Sequence, residues 1–467
     1  MPAFHRLAPS GDPSETIIAP ATAAGESGVS ILRLSGPGAA AALRRWFVPA
    51  RARCRWSSHR LYFGEIQHPR THEVIDRGLA VLMRAPRSYT GEDTAELHCH
   101  GSPHVVQEVL NLAWEEGIRL ARPGEFTLRA VLNGRLDLAQ AESLLELITA
   151  RSERALRQAN AGVSGAFSAE VDSIRKDLVQ TQAFVEASID FSEDEIPAED
   201  VLAPLDRALT SLASLHARAK HGLLYRTGVR VALIGRPNVG KSSLLNALLR
   251  SPRAIVSELP GTTRDTIEES TIMSGIPMVL TDTAGIRETD DLIESLGVAR
   301  TREAIAVAVV RVLVLDRSDP LSEDDRRILD DLDLDRTVVV LNKSDLPMDA
   351  HFDAELPRNE RVPIVEMSAL TGNGLQSLEQ ALVDVAMRVS GSVDDTEIML
   401  AVPRHVETLD RAIVALRSSL QALRSAQPFD IVAGELSLAS RALGEITGVN
   451  ATEDLFDTIF SRFCLGK

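Results

Sequence analysis

Val229-Arg-Val-Ala-Leu-Ile234 runs directly into Gly235-Arg-Pro-Asn-Val-Gly240-Lys241-Ser242, and this stretch near the middle of the chain decides the fold. The first six residues form a short apolar run that predicts a buried strand, and residues 242–249 have the pattern of a helix. A strand, a glycine loop and a helix in this order are the context that a phosphate-binding P-loop requires. The stretch therefore predicts a site for a nucleoside triphosphate.

Each part of this loop has an expected role. Backbone N–H groups and the positive end of the helix point at the phosphates, Lys241 reaches the β- and γ-phosphates, and the Ser242 hydroxyl binds Mg²⁺. Only five of the 50 basic residues are lysines, so a lysine is expected mainly where a compact ammonium group is needed. Lys343 and Lys467 therefore attract attention beside Lys241. The remaining expected loop contacts to the nucleotide are Asn238, Val239, Gly240 and Ser243.

Composition limits the class of protein. A chain of 467 residues is long enough for about three domains. A hydrophobic fraction of 44%, no run of 18 apolar residues and no signal-peptide pattern at the first residues predict a soluble, cytosolic protein without membrane contact. Three cysteines imply no disulfide framework, and a net charge of −16 argues against non-specific coating of nucleic acid.

Four further apolar runs, at 278–281, 309–315, 337–341 and 362–366, alternate with helical patterns after the P-loop. This alternation predicts an α/β domain with a doubly wound, mainly parallel sheet. In such sheets the ligand lies at the carboxyl ends of the strands. The residues that follow each run are therefore candidates for the binding site.

Three of these strand ends predict a guanine nucleotide. Asp282-Thr283-Ala284-Gly285 offers a carboxylate for Mg²⁺ through water and a Gly285 amide for the γ-phosphate. In Asn342-Lys343-Ser-Asp345 the Asp345 carboxylate can accept both N–H groups of guanine, and Lys343 would lie along the base and tie back to the P-loop. A backbone N–H of Ser368-Ala369-Leu370 can reach the guanine O6. Their order and spacing together indicate GTP.

The segment between the P-loop and Asp282 predicts a switch loop. Thr263 is the natural second Mg²⁺ ligand, with a tight turn as the alternative. Ile286 stands where Ras-like proteins carry the glutamine that orients water, so the chemistry must be completed differently. Asn238 and the carbonyls of residues 257–259 could surround a monovalent cation. A carboxylate could orient water, with Glu294 our choice and Glu288, Asp290 and Asp291 left open. The loop residues expected at GTP are Ser257, Glu258, Leu259, Pro260, Gly261, Thr262 and Thr263.

The regions on either side of this domain carry further motifs. The chain contains Thr16-Ile-Ile-Ala-Pro20-Ala-Thr, Tyr89-Thr-Gly-Glu92-Asp-Thr-Ala-Glu96-Leu, Arg122-Pro-Gly-Glu-Phe126-Thr, Leu132-Asn-Gly-Arg135-Leu-Asp, Glu445-Ile-Thr-Gly448 and Phe460-Ser-Arg-Phe-Cys464-Leu-Gly-Lys467. With the guanine motifs, the chain resembles the MnmE (TrmE) family of tRNA modification GTPases over essentially its whole length.

This resemblance implies a division of the chain. Residues 1–134 would form an α/β domain that binds a tetrahydrofolate and dimerises. Residues 135–224 and 391–467 would form one helical domain from two separate stretches, and the GTPase domain, residues 225–390, would be inserted between them. Long helical patterns at 136–221 and 404–463 suit this arrangement.

The resemblance also implies an activity and its residues. The chain would be a potassium-stimulated GTPase that, with the FAD-dependent protein MnmG in a heterotetramer, modifies carbon 5 of the wobble uridine of certain tRNAs. A 5-formyl- or 5,10-methylene-tetrahydrofolate would supply the one-carbon unit. By motif position, Asn238, Ser257, Leu259 and Thr262 would bind K⁺ and Glu294 would orient water. Arg33, Glu96, Arg135 and Lys467 would face the folate.

Some alternatives stay open. Cys464 would act in the modification chemistry if Lys467 lowers its pKa, and a packing cysteine is an equal alternative. His98-Cys99-His100 fits strand alternation better than a metal site. A GTP-dependent switch without base chemistry, and a helical scaffold with an inactive GTPase, are the rival functions. Binding of 5-formyltetrahydrofolate would separate the first rival from the main hypothesis.

Overall fold

The computed structural model describes residues 15–51, 55–150, 153–190, 198–249, 268–282, 308–349, 352, 362–389 and 402–467. The chain divides into two compact units. The first comprises Met1–Thr149, Ala159–Leu209 and Thr408–Lys467, and the second comprises Ala150–Gln158 and Thr210–Glu407. Within the described ranges, no helix is both long enough and apolar enough to cross a membrane. The boundaries of the three expected domains remain predictions.

A seven-stranded sheet begins the first unit. Its strands are β1 (Ile17–Pro20), β2 (Ser27–Ser35), β3 (Phe47–Pro49), β4 (Leu61–Gln67), β5 (Val74–Met83), β6 (Thr94–Gly101) and β7 (Arg119–Leu120). They lie in the order β3-β4-β5-β6-β2-β1-β7. All neighbours are antiparallel except β1 and β7.

The two faces of this sheet differ because side chains alternate along each strand. On β6, Ala95, Leu97 and Cys99 are buried in the core, together with residues of α1 (Ala39–Trp46) and α2 (Pro103–Glu115). His98 and His100 lie on the opposite face from Cys99, and no metal-binding cluster of His, Cys, Asp or Glu occurs in the described ranges. The strand interpretation of this tripeptide is therefore confirmed.

Helices follow the N-terminal sheet along the chain, and the expected helical stretches are confirmed. The helices beyond α2 are α3 (Glu125–Leu132), α4 (Leu138–Thr149), α5 (Glu153–Val163), α6 (Ala166–Asp190) and α7 (Ala198–Thr227) before the inserted region. A second group of helices follows the inserted region in the chain. Helix α6 packs along the helix of that group that spans Phe429–Thr447. The expected joining of two distant stretches into one helical body is thus seen in this pair.

The second unit contains a six-stranded sheet. Its strands are β8 (Val229–Ile234), β9 (Glu268–Met273), β10 (Ile276–Asp282), β11 (Val310–Asp316), β12 (Thr337–Asn342) and β13 (Ile364–Glu366), in the order β13-β12-β11-β8-β10-β9. The four predicted runs and the strand before the P-loop are all present and parallel. Strand β9 was not predicted. It pairs antiparallel with β10 through a turn in which Ser274 and Gly275 both have positive φ.

Three helices of this unit support the sheet, and their core is continuous with it. They are α8 (Lys241–Leu249), α9 (Glu323–Asp331) and α10 (Leu375–Val389). The second group of helices is α11 (Pro403–Arg424), α12 (Phe429–Thr447) and α13 (Glu453–Phe460). Because β8, β10, β11, β12 and β13 are parallel, their carboxyl ends meet at one edge of the sheet. The functional loops lie at this edge.

Candidate functional site

The P-loop follows β8 and precedes α8, as the sequence predicts. Its backbone needs glycine at two positions, Gly235 and Gly240. Gly235 has a φ of 146°, and a Cβ there would lie 2.4 Å from the carbonyl oxygen of Val314 on the neighbouring strand. Lys241 is buried, and its Nζ donates to the carbonyl oxygens of Gly235 (2.8 Å) and Arg236 (2.7 Å). The loop therefore curls around its own lysine.

Asn342 joins three loops of the site. Its Nδ2 donates to the carbonyl oxygen of Val239 at 2.8 Å, and its Oδ1 accepts from the backbone N–H of Ala369 at 3.0 Å. A Cβ on Gly240 would lie 2.3 Å from the same Nδ2. The P-loop, the Asn342–Asp345 loop and the Ser368–Leu370 loop are thus fixed to each other through one buried amide.

Lys343 is placed differently from one expectation. The residue has a φ of 63°, which is uncommon for a non-glycine residue, and its Nζ lies 2.5 Å from Oδ2 of Asp316. The contact back to the P-loop comes from the preceding Asn342 instead. Asp316 is only 5% exposed. Burial opposes its ionisation, but the hydrogen bonds from Lys343 and Ser318 outweigh burial and lower the pKa of Asp316.

Asp316 was missed by sequence reasoning. The signal that could have found it is its position as the last residue of β11, at the carboxyl end of a strand of a parallel sheet. No motif drew attention to that strand end, because its partner Lys343 comes from another strand.

A hydrogen bond from a neighbouring loop of the protein holds Asp345 in place. Ser368 Oγ donates to Asp345 Oδ1 at 2.6 Å, and the backbone N–H of Thr371 donates to Ser368 Oγ at 3.2 Å. Ser368 is buried, whereas the Leu370 side chain is exposed. A cleft of about 760 Å³ opens here, and its walls include Gly240, Ser243, Asn342, Lys343, Asp345, Ser368, Ala369 and Leu370. The structure therefore brings the predicted base-binding residues together.

Part of the predicted site lies outside the described residues. Ser242 is the exposed second residue of α8, and Asp282 is the last residue of β10. Asn238 is exposed and has a φ of 64°. The predicted residues outside the described ranges are Ser257, Glu258, Leu259, Pro260, Gly261, Thr262, Thr263, Thr283, Ala284, Gly285 and Glu294.

A second cluster forms on the open face of the N-terminal sheet, and we call Arg33, Glu96 and His98 the Arg33 cluster. Arg33 Nε donates to Glu96 Oε1 at 2.8 Å, and His98 Nε2 lies 3.2 Å from Glu96 Oε2. The Arg33 guanidinium lies 5.6 Å from the centre of the Tyr89 ring and 5.9 Å from that of Phe126. Burial opposes the ionisation of Glu96, but His98 and Arg33 outweigh burial and lower its pKa.

The C-terminal residues reach this cluster. Arg33 Nη1 donates to the carbonyl oxygen of Gly466 at 3.4 Å. Gly466 has a φ of 86°, and a Cβ there would lie 2.0 Å from the carbonyl oxygen of Pro20. Burial and the nearby charge of Arg33 lower the pKa of Lys467. The Cys464 side chain is exposed, and its carbonyl oxygen accepts from Gly124 N at 3.5 Å.

Three of the four predicted folate residues, Arg33, Glu96 and Lys467, therefore lie close together. The fourth, Arg135, lies beside the loop that carries Tyr89. A Cβ at Gly91 would contact the Arg135 side chain at 3.3 Å, and Gly91 belongs to the loop that carries Tyr89. Arg135 is exposed. His98 was not predicted as part of this site, although its spacing of two from Glu96 on a strand places both on one face.

Buried charges hold this part of the sheet together. Arg129 is 3% exposed and donates to Glu92 Oε2 and Glu125 Oε1, both at 3.0 Å. Glu125 also accepts two bonds from Arg119, at 2.6 and 2.8 Å. Ser35 Oγ donates to the same Glu92 oxygen at 2.8 Å. The loop that carries Tyr89 and the helix that carries Phe126 are thus linked by ion pairs.

Two family profiles and several solved structures are similar to parts of this chain. The family profile described as "MnmE helical domain" matches residues 138–464, and the profile described as "GTP-binding protein TrmE N-terminus" matches residues 16–135. Among solved structures, the G domain of the FeoB iron transporter of T. maritima is 27% identical, covering 34% of this chain and 98% of that one, with a TM-score of 0.25. The structure of Aquifex aeolicus Era bound to GDP and aluminium fluoride is 25% identical, covering 40% and 66%, with a TM-score of 0.28.

Curated relatives match along almost the whole length. The tRNA modification GTPase MnmE of Roseiflexus sp. (strain RS-1) is 46% identical over 97% of this chain and 99% of its own length. The proteins of the same name from Carboxydothermus hydrogenoformans and Chloroflexus aurantiacus are 40% and 43% identical, each over 97% of this chain and 99% or more of their own. Because one family profile and these relatives each span well over half of its residues, the chain belongs to the MnmE family of tRNA modification GTPases.

Proposed function

We propose that this chain hydrolyses GTP to drive modification of carbon 5 of the wobble uridine in tRNA. The observation that supports the guanine nucleotide most directly is the position of Asn342, which connects the P-loop to the loop that carries Asp345. Asp345, which accepts a hydrogen bond from Ser368 and lines the cleft, would accept the two N–H donors of a guanine edge. Lys241 of the P-loop would bind the phosphates.

Two metal ions belong to this proposal. Mg²⁺ would be held by Ser242 and Thr263 and would neutralise phosphate charge. Ser242 fits this role because it is exposed at the start of α8, directly after Lys241. K⁺ would be held by Asn238, Ser257, Leu259 and Thr262, and would place a positive charge beside the phosphates. Asn238 fits because it is an exposed residue of the P-loop whose side chain carries an amide oxygen.

Glu294 is proposed to orient the attacking water in place of the missing glutamine. Single-turnover hydrolysis measured for Glu294→Ala, with Glu288→Ala, Asp290→Ala and Asp291→Ala as comparisons, identifies the residue. The expected result is a fall of about 10²-fold or more for Glu294→Ala alone. A near wild-type rate for that variant assigns the role elsewhere.

The Arg33 cluster supports a folate site together with Lys467 and Arg135. A pteridine ring presents an edge of N–H donors that a carboxylate such as Glu96 can accept, and its flat face suits the aromatic walls from Tyr89 and Phe126. The cations would face the carboxylates of the glutamyl tail. A 5-formyl- or 5,10-methylene-tetrahydrofolate bound here would supply the one-carbon unit, near the exposed thiol of Cys464.

The proposal includes partners and domains. The N-terminal domain, residues 1–134, would form a homodimer, and the helical stretches 135–224 and 391–467 would surround the inserted GTPase domain at 225–390. The FAD-dependent protein MnmG would complete a heterotetramer that acts on tRNA in the cytoplasm. Cys464 would take part in the modification chemistry.

Nucleoside analysis of tRNA tests the whole proposal. A strain that lacks this chain is expected to lose the modified wobble uridine, and the wild-type gene should restore it. A Lys241→Ala gene should not restore it, because the phosphate-binding ammonium is gone. Titration of the purified chain with 5-formyltetrahydrofolate separates this function from a GTP-dependent switch, for which no folate binding is expected.

A further inference from the structure

The segment from the end of β11 into the first turn of α9, residues 316–325, contacts both halves of the nucleotide site. We call it the β11–α9 loop. Sequence reasoning assigned it no role, and none of its residues lines the cleft. Its side chains nevertheless hold one residue of the P-loop and one residue of the guanine-binding loop.

At the base end, the contact is between Asp316 and Lys343. Asp316 Oδ2 lies 2.5 Å from Lys343 Nζ, and its other oxygen accepts from the backbone N–H and the hydroxyl of Ser318, at 3.0 and 2.6 Å. Both oxygens of this buried carboxylate are therefore used, and the carboxylate has one orientation. This carboxylate pairs with Lys343, whose φ of 63° is uncommon for a non-glycine residue.

At the phosphate end, the contact is with Arg236. Arg236 Nη2 donates to Asp319 Oδ2 at 3.3 Å, and its Nε lies 3.3 Å from Asp325 Oδ2. Asp325 is only 2% exposed. The carbonyl oxygen of Arg236 also accepts from Lys241 Nζ. The side chain of Arg236 is thus held by the loop while its backbone holds the phosphate-binding lysine.

A capping box and an ion pair fix the β11–α9 loop itself. Ser322 and Asp325 form a capping box at the start of α9, in which each side chain bonds to the backbone N–H of the other residue. Arg317, next to Asp316, pairs with Glu366 on β13. A loop fixed at both of its ends can transmit position from one half of the site to the other.

We propose that the β11–α9 loop sets the spacing between the phosphate half and the base half of the guanine nucleotide site, with Asp316 and Arg236 as positioning residues. Asp316 acts at the base end through Lys343, and Arg236 acts at the phosphate end through the backbone that holds Lys241. This inference rests on the proposed guanine nucleotide site.

Binding of fluorescent mant-GDP and of mant-GMPPNP to the full chain tests it. Asp316→Asn is expected to weaken both nucleotides by about tenfold or more and by the same factor, because Lys343 contacts the base that they share. Arg236→Gln is expected to weaken mant-GMPPNP at least threefold more than mant-GDP, because Lys241 reaches the γ-phosphate that only the former carries. A general loss of structure would not separate the two nucleotides in this way.

Asp333→Asn and Arg336→Gln are the matched controls. These two residues lie between α9 and β12, outside the β11–α9 loop, where Arg336 Nε is 3.4 Å from Asp333 Oδ2 and both side chains are about half exposed. The same substitutions there should leave both affinities unchanged. Losses in Asp316→Asn or Arg236→Gln no larger than in these controls overturn the proposal.

Milder variants cover the case in which a principal variant fails to fold. Ser318→Ala removes one bond that orients Asp316, and Asp319→Asn removes charge from the more exposed partner of Arg236. Each should weaken binding by about two- to fivefold with the same nucleotide pattern as its principal variant, and wild-type affinity in both overturns the inference. A wild-type chain that binds neither nucleotide refutes the proposed function itself, whereas wild-type binding with unaffected variants refutes only the role of the loop.

Discussion

The side-chain amide of Asn342 donates to the backbone carbonyl of Val239 at 2.8 Å, although the two residues are 103 positions apart in the sequence. The same amide accepts from Ala369, which follows another strand. An asparagine offers both a donor and an acceptor, so one side chain can join loops that an aspartate or an alanine could not. The loops predicted to bind guanine are therefore joined to each other by hydrogen bonds within the protein.

Asn342→Ala should weaken GDP binding by about tenfold or more. The change removes two hydrogen bonds and leaves a buried carbonyl and a partly buried N–H without these partners, each at a cost of about 1–3 kcal/mol. Titration with mant-GDP measures the effect. Gln380→Ala, on the exposed face of α10, serves as the control because its amide donates to Asp384 on the same helix. Equal affinities in the two variants would contradict the role given to Asn342.

Gly240→Ala should abolish tight nucleotide binding. Gly240 has a φ of 99°, and its new Cβ would lie 2.3 Å from the side-chain nitrogen of Asn342, whose amide is held by one hydrogen bond at its nitrogen and another at its oxygen. Gly117→Ala is the control, because Gly117 has a φ of 75° with no atom within 4 Å of a Cβ and lies outside the cleft. It imposes backbone strain of about 1 kcal/mol without a clash. Isothermal titration with GDP should show at least a tenfold difference between the variants, and equal losses would mean that strain alone matters.

Local patterns predicted much of the GTPase sheet. The apolar runs gave β8, β10, β11, β12 and β13 within one or two residues at most ends, because buried parallel strands read as continuous apolar segments. Strand β9 escaped, because Glu268-Glu-Ser-Thr-Ile-Met273 is a polar edge strand with a weak alternation. The dipeptide Ser274-Gly275 was the sequence signal that could have predicted the hairpin. In the structure both residues have the positive φ that such a turn requires.

Contacts between distant residues could not be predicted in the same way. The motif Asn342-Lys343-Ser-Asp345 predicted where the base binds, but its spacing did not show that Asn342 contacts the P-loop and that Lys343 pairs with Asp316. These pairings depend on strand order, which places β11 between β8 and β12. His98 likewise lies in the Arg33 cluster because β2 and β6 are neighbouring strands, and this pairing was not predicted from the sequence.

Arg129→Met should destabilise the N-terminal sheet by about 3–5 kcal/mol, because it leaves the buried Glu125 and the partly buried Glu92 with fewer partners. All three tryptophans of the chain lie between residues 46 and 114, so tryptophan fluorescence during urea unfolding reports on this sheet. Arg45→Met is the control. Arg45 pairs with Glu116 but is half exposed, and an exposed pair contributes about 0–1 kcal/mol. A loss in Arg129→Met no greater than in Arg45→Met would argue against the buried network.

Glu96→Gln should change the pH dependence of the same unfolding transition. Burial, His98 and Arg33 together leave the pKa of folded Glu96 below its ordinary value of 4.5. The ionised carboxylate therefore stabilises the folded state above the unfolded pKa, and this contribution is lost as the pH falls through the folded pKa. The difference in unfolding free energy between wild type and variant should be largest near neutral pH and shrink below about pH 4.5. A difference for Glu96→Gln that does not vary with pH would contradict the lowered pKa.

Potassium stimulation should depend on the oxygen of the Asn238 side chain rather than on the shape of the loop. Wild type is expected to hydrolyse GTP faster in KCl than in NaCl of equal concentration, as measured by phosphate release. Asn238→Ala alone cannot decide the cause, because alanine at a φ of 64° also strains the backbone by about 1–2 kcal/mol. Asn238→Gly removes the same oxygen without that strain, and Asn238→Asp restores an oxygen at the same place. If the side chain binds the ion, the glycine variant loses the difference between the two salts and the aspartate variant keeps it. A glycine variant with the full wild-type ratio would show that the ion is held by other groups, and that Asn238 only shapes the turn.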